Sequence, residues 1–399
     1  MWESKMDINE VREIRAKTTT YLGVGAITKI ADIAVYLKKN GVDKLVVMTG
    51  KGAYKRTGAW DHVEAALKQN DIAYILYNKV TPNPTDTSVD EATKIAKDFG
   101  AQAVISIGGG SAIDAGKSVA VLLKYPGKTA EELFEGKFTA EVAVPIIAIN
   151  LTHGTGSESD RFAVVTITKK QYKPCIVCDC IYPKFAIDDP ALMVLLPFNQ
   201  TCYVSVDAVN HVLEAATSTV ASPYTVMLAK ETIRLVGRYL PQAMSHPKDL
   251  TARYYLAYAA LIAGICFDNG LLHYTHALEH PLSAIKPDLT HGLGLGILLP
   301  AVIKQIYPAV PEVIADIFSS VVPGLKGIPA EAEKAGDLIE AWLRTVGITV
   351  KLGDLGFSEK DLDKLTDLAF ETPSLDVLLS IAPVVATKEV VRKIFADSL

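Results

Sequence analysis

A chain of 399 residues, 49% hydrophobic and 21% charged, holds enough apolar material for two domains, each with its own core, and does not have the composition of a disordered chain. Its net charge of -5 gives no electrostatic case for nucleic acid, and no block of like charge forms an interaction tail. The first seventeen residues are charged and lack the apolar core of a signal peptide, and no apolar run reaches the roughly 18 residues of a spanning helix. The expectation is a cytoplasmic globular protein.

Thr18 to Ile27 reads as a strand and a glycine turn, and Ile27 to Lys39 as a helix ended by Gly41. Leu45 to Thr49 is a short apolar strand of the kind buried in a parallel sheet, followed by the turn Gly50-Lys51-Gly52. Asp61 to Gln69 is a helix, Tyr74 to Tyr77 a strand, Thr85 to Phe99 a helix capped by Thr85, and Ala103 to Ile107 a strand. Strands alternating with helices predict a parallel sheet wound in βαβ units.

Directly after Ile107 comes Gly108-Gly109-Gly110-Ser111. Glycines there let the backbone approach a pyrophosphate, and a helix starting near Ser111 offers N–H groups to an anion. The ordinary G-x-G-x-x-G fingerprint is absent. Pro145 to Leu151 is another buried strand, running into Thr152-His153-Gly154-Thr155-Gly156-Ser157-Glu158. That loop is either a cofactor contact or a turn of small residues. The five cysteines are an odd count that argues against a disulfide framework. Cys175, Cys178 and Cys180 read as small apolar residues in a strand pair near Ile176 and Ile181 rather than as a thiolate metal site.

The stretch from Asp188 to Pro197 looks like a boundary, giving an α/β domain over 1–189 and an all-helical domain over 190–399. Helices are expected at Asn199–Ser218, Tyr224–Leu240, Leu250–Phe267, Leu271–Ser283, Leu299–Ile306, Pro311–Ser319, Ala330–Val346, Glu359–Phe370 and Lys388–Asp397. Four of the eight histidines fall in this half between 273 and 291. The spacing of His273, His276 and His280 puts three rings on one helical face. Pro281 predicts a bend or end nearby, and Lys286-Pro287-Asp288 a turn. A loop carrying His291, Gly292 and Gly294 then brings His291 back towards that helix. Upstream, Asp207 and His211 are four apart. One carboxylate and three imidazoles from these segments suit iron(II) or zinc, with manganese permitted. The bland reading is a set of helix-face residues with local hydrogen bonds.

These residues resemble the iron-containing (group III) alcohol dehydrogenases. That family carries an Asp-x-x-x-His pair, then His-x-x-x-His-Pro-Leu, then His-Gly, and the resemblance covers nearly the whole chain. Its Gly-Gly-Gly-Ser-x-x-Asp-x-x-Lys motif is matched by Gly108 to Lys117. Its Thr-Ala-Gly-Thr-Gly-Ser-Glu loop is matched from Thr152, with His153 where a small residue is usual and Asp160 where Thr is common. The gap from His280 to His291 looks one residue longer than usual.

The resemblance implies a Rossmann-like dinucleotide-binding domain and an all-α metal-binding domain, an architecture shared with dehydroquinate synthase. It implies metal ligands Asp207, His211, His276 and His291, with His280 beside the metal to help proton transfer. Gly108, Gly109, Gly110, Ser111, Asp114, Lys117, Thr152, Thr155 and Ser157 would contact the cofactor, with Asp114 close to the chemistry. NAD-specific members tend to carry an aspartate after the second strand; here Gly50 and Lys51 stand there with no acid, which favours NADP(H) over NAD(H). The implied enzyme is a metal-dependent NAD(P)-linked alcohol dehydrogenase or aldehyde reductase with Fe2+ expected, forming a homodimer or larger homo-oligomer. Its substrate would be a small alcohol or aldehyde, with no nucleic acid or membrane partner. Alternatives are a reductase of a functionalised aldehyde (a diol precursor or sulfonated aldehyde) and a dehydroquinate synthase-like lyase, whose metal site normally uses a glutamate with two histidines.

Overall fold

The computed structural model describes residues 2–6 and 9–399; Met1, Asp7 and Ile8, part of the charged N-terminal stretch, lie outside them. The chain forms two compact units. One comprises Ala16–Leu196 with Pro247–Leu261; the other comprises the described residues before Ala16, Pro197–His246 and Ile262–Leu399.

The first unit contains strands β1 (Thr19–Leu22), β2 (Lys44–Thr49), β3 (Ala73–Tyr77), β4 (Val104–Gly108), β5 (Ile146–Asn150), β6 (Phe162–Val164), β7 (Cys175–Val177) and β8 (Phe185–Asp188). Its helices are α1 (Ile30–Lys39), α2 (Ala53–Arg56), α3 (Ala59–Gln69), α4 (Asp86–Phe99), α5 (Gly110–Leu122) and α6 (Ala130–Phe134). Six strands pair in the order β1-β8-β5-β4-β2-β3, every pair parallel, while β6 and β7 form a separate antiparallel ribbon. The apolar run of β2 follows from burial on both faces. Leu45 and Val47 join Ile33, Leu37, Val63 and Leu67 in one core layer, and Val46 and Met48 join Val89, Ala92, Val119 and Ala120 in the other. Thr85 caps α4 as expected, its hydroxyl accepting the Ser88 N–H.

The strand order fixes where a ligand belongs. From β2 the chain steps outward to β3, then returns to β4 on the other side of β2. The carboxyl ends of β2 and β4 therefore flank a topological switch point, the usual ligand crevice of such sheets. Gly50 follows the first and Gly109 the second.

The second unit is built from helices α7 (Phe198–Thr217), α8 (Pro223–Ser245), the later part of α9 (Leu250–Gly270), α10 (Tyr274–Ile285), α11 (His291–Ile306), α12 (Pro311–Ile317), α13 (Ala332–Thr345), α14 (Leu362–Glu371), α15 (Leu375–Ser380) and α16 (Lys388–Asp397). Among the described residues, helix α9 alone is long and apolar enough to cross a membrane, but 61% of its most apolar window is buried, as in a core helix. Pro281 lies inside α10, which runs on to Ile285.

Three sequence expectations change. His273 is the N-cap of α10, with φ -142°, rather than a member of its histidine face. His291 opens α11 instead of lying in a loop. Ile181 closes a short 3-10 turn instead of a strand. Helix α15 is additional to the expected set.

Candidate metal centre and cofactor loops

Helix α7 carries Asp207, His211 and Glu214 at steps of four and three, hence on one face. Helix α10 contributes His276, Glu279 and His280, and α11 contributes His291. The first turn of α11 lies against α7 because residue 292 is glycine: a Cβ there would stand 2.0 Å from the Tyr203 carbonyl oxygen.

The four expected ligands converge. His211, His276 and His291 direct Nε2 to within 3.4, 3.6 and 3.9 Å of Asp207 Oδ1. The rings of His211 and His276 stack at 4.6 Å, and Phe267 packs against His211 at 4.5 Å. Asp207 Oδ1 and His276 Nε2 are buried without a hydrogen-bond partner. Leaving such atoms unpaired in a protein interior is costly. Their convergence fits a divalent cation, and the donor set, one oxygen with three imidazole nitrogens, suits iron or zinc.

The electrostatics agree. Burial opposes ionisation of Asp207, but His211, His276 and His291 outweigh it and hold the carboxyl well below its usual range. Burial lowers His211 to about 4. Burial also opposes charge on His276, yet Glu214 and Asp207 raise it to about 9. The cluster thus attracts positive charge where Nε2 of His276 faces Asp207.

His280 is buried one turn beyond His276, with ring centroids 6.4 Å from His276 and 5.7 Å from His291. His273 has both ring nitrogens engaged: Nδ1 accepts from the Tyr274 N–H, and Nε2 lies 2.9 Å from Thr217 Oγ1. Sequence reasoning missed two carboxylates. Glu214 Oε1 lies 2.9 Å from His276 Nδ1, and Glu214 also accepts the backbone N–H groups of His273 and His276. Glu279 Oε2 is hydrogen-bonded to His291 Nδ1. Their spacing was available as a signal: Glu214 is three after His211, and Glu279 is three after His276.

In the α/β unit, Gly109 is the N-cap of α5 and Ser111 lies in its first turn. A Cβ at Gly109 would come 2.8 Å from Thr152 Cγ2, and one at Gly110 2.8 Å from Thr155 Cγ2. The bare glycines therefore let the Thr152–Ser157 loop lie directly on the start of α5. Gly108 lies beside Ala112. Asp114 accepts from Ser157 Oγ and from the Val164 N–H at 3.0 Å, joining that loop to β6; burial raises its pKa. At the switch point Thr49 Oγ1 donates to the Ile107 carbonyl at 2.8 Å. Gly50 and Gly52 are partly exposed and Lys51 is exposed.

Lys117 departs from expectation. Its ammonium is fully buried and donates to Asp160 Oδ1 (2.8 Å), Asp160 O (3.0 Å) and Phe162 O (2.8 Å). Three donors with three protein acceptors leave none for a cofactor. This accounts for Asp160, the unusual residue after the loop. The other unusual residue, His153, is also buried and partnered: its Nε2 accepts from Arg253 Nη1 at 2.8 Å. Burial and the Arg253 charge lower its pKa to about 3, so it is neutral. Cys175, Cys178 and Cys180 do not form a metal-spaced cluster among the described residues.

Comparison with known proteins agrees with this geometry. The family model described as iron-containing alcohol dehydrogenase matches residues 17–190, and the model of that family's C-terminal region matches residues 201–399. A long-chain primary alcohol dehydrogenase of Thermoanaerobacter ethanolicus is 60% identical over 398 residues, 100% of each chain. Alcohol dehydrogenase 4 of Schizosaccharomyces pombe is 34% identical over 93% of this chain and 86% of its own. The NADH-dependent butanol dehydrogenase A of Thermotoga maritima superposes with a TM-score of 0.89 at 31% identity, covering 98% of both chains. With helices α7, α10 and α11 converging on one cation-attracting cluster and a glycine-rich turn at the sheet's switch point, the chain belongs to the iron-containing alcohol dehydrogenase family and is an oxidoreductase that interconverts alcohols and aldehydes with a nicotinamide cofactor.

Proposed function

We propose that Asp207, His211, His276 and His291 hold one divalent ion, iron(II) first among those the ligand set accepts, and that the chain prefers NADP(H). The carrying observation is the convergence of three Nε2 atoms on a buried Asp207 oxygen that no protein donor satisfies. When bound, the metal supplies a Lewis acid for the substrate oxygen and the nicotinamide gives or takes the hydride. The chain's own residues orient, exclude water and handle the proton. Gly108, Gly109, Gly110 and Ser111 offer backbone N–H groups to the pyrophosphate at the start of α5. Thr152, Thr155 and Ser157 line the same place, with Asp114 fixing Ser157. His280, buried near His276 and His291, holds or moves the proton exchanged with the substrate oxygen.

The NADP(H) preference rests on the loop after β2. Gly50 has no side chain to oppose a 2′-phosphate, and Lys51 is exposed to pair with it. The 60% identity to a long-chain primary alcohol dehydrogenase favours an aliphatic primary alcohol and its aldehyde as substrates. A panel of aldehydes of increasing chain length, assayed with NADH and NADPH on a sample whose metal is measured, tests all three points. Turnover expected is metal-dependent, faster with NADPH, and maintained on long aliphatic aldehydes. Full turnover without metal, or a higher kcat/KM with NADH, overturns the corresponding assignment.

A further inference from the structure

We propose that Glu214 and Glu279 are positioning residues of the metal centre, each fixing one ligand histidine in the tautomer that places the proton on Nδ1 and the lone pair on Nε2. The proposal rests on the ligand set above and adds geometry that set does not use.

Glu214 Oε1 lies 2.9 Å from His276 Nδ1, and its carboxylate also receives the His273 and His276 backbone N–H groups. A carboxylate surrounded by donors is acceptor-only, so the hydrogen between these atoms belongs to His276 Nδ1. In the neutral ring Nε2 then carries the lone pair, 3.6 Å from Asp207 Oδ1. Glu279 repeats the arrangement on the other side. Its Oε2 engages His291 Nδ1, leaving Nε2 of that ring 3.9 Å from the same Asp207 oxygen. In the opposite tautomer either ring would direct an N–H at the ion. The carboxylate also makes its imidazole a stronger donor.

The sequence around His291 is built for this contact. A Cβ at residue 294 would stand 2.8 Å from Glu279 Cγ and 3.2 Å from Oε1. Gly294 is therefore the space in which Glu279 reaches His291. Glu214 has a second duty, since the N–H groups it accepts lie at the start of α10. Glu279 is the cleaner probe.

The experiment measures Zn2+ affinity by competition with a chromophoric chelator. It uses the full-length wild type, Glu279→Gln, Glu279→Leu, Gly294→Ala, Glu214→Gln, His276→Ala and His291→Ala, with circular dichroism for folding. Proton NMR of the Zn2+-loaded protein follows the hydrogen-bonded Nδ1–H signals. Glu279→Leu is expected to weaken binding about 10- to 100-fold and to remove one such signal. Glu279→Gln, whose amide oxygen still accepts from Nδ1–H, is expected to fall between it and wild type, and Glu214→Gln to weaken binding as well. Gly294→Ala is expected to weaken binding although every ligand is present. If Glu279→Leu does not fold, Glu279→Gln and Gly294→Ala decide. Wild-type affinity in the folded Glu279 and Gly294 variants, with metal lost from His291→Ala, overturns the positioning role and leaves the ligand set standing. Metal retained by both His276→Ala and His291→Ala overturns the ligand set itself.

Discussion

Lys117 and Asp160 form an ion pair sealed inside the α/β unit, with Nζ 2.8 Å from Oδ1 and only 0% and 2% of the side chains exposed. Removing one partner of such a pair leaves an uncompensated buried charge, which costs about 3–5 kcal/mol. Lys117→Met is expected to lower stability by that order in urea unfolding. The folded fraction should keep its KM for the cofactor. A raised cofactor KM with unchanged stability would instead make Lys117 a ligand contact.

Glu158 and Asp188 are also fully buried acids. Burial and then repulsion by Asp188 push Glu158 well above its usual range, and burial pushes Asp188 up to about 7. The folded protein thus keeps protons that the unfolded chain releases near pH of about 4. Their stabilisation is complete below that pH and is lost as pH rises through the folded values. Asp188→Asn should flatten the fall in stability between about pH 4 and 7 and raise stability at pH 8 by on the order of 1–3 kcal/mol. Thermal unfolding across pH measures both, and a variant no more stable than wild type at pH 8 contradicts the expectation.

Gly50 is the position at which the proposed NADP(H) preference is tested. A Cβ there would meet the Val80 carbonyl oxygen at 3.3 Å, a contact a small shift relieves. Gly50→Asp is expected to weaken NADPH far more than NADH, because a carboxylate there repels a 2′-phosphate. Steady-state kcat/KM with both cofactors gives the answer; an unchanged ratio removes this loop from the specificity.

His280→Gln separates proton handling from packing. As a relay, His280 should lower kcat by about 10- to 10⁴-fold on replacement and shift the pH–rate profile, with metal content unchanged. An unchanged profile would reduce it to a packed side chain.

The fold class was legible because β2 and β4 are apolar runs bounded by glycine turns, and because helical periodicity persists beyond Pro197. The residues proposed as ligands could be picked out from spacing within α7 and α10 and from the histidine-rich stretch. Glu214 and Glu279 were not, because each acts across space: Glu214 on α7 reaches a ring on α10, and Glu279 on α10 reaches a ring on α11. Long-range packing also hid the exchange of segments, with the described residues before Ala16 joining the helical unit and Pro247–Leu261 the other. His273 misled because its spacing is helical, whereas its backbone is that of a cap.

The space at residue 294 has an evolutionary reading. A relative that acquired alanine there would retain the aspartate and all three histidines, and a motif search would still score it as a complete metalloenzyme. Its Glu279 would nevertheless be displaced from His291. On the positioning role proposed for Glu279, loss of metal competence among duplicated genes can begin at a silent-looking glycine, so residue 294 is to be inspected along with the proposed ligands.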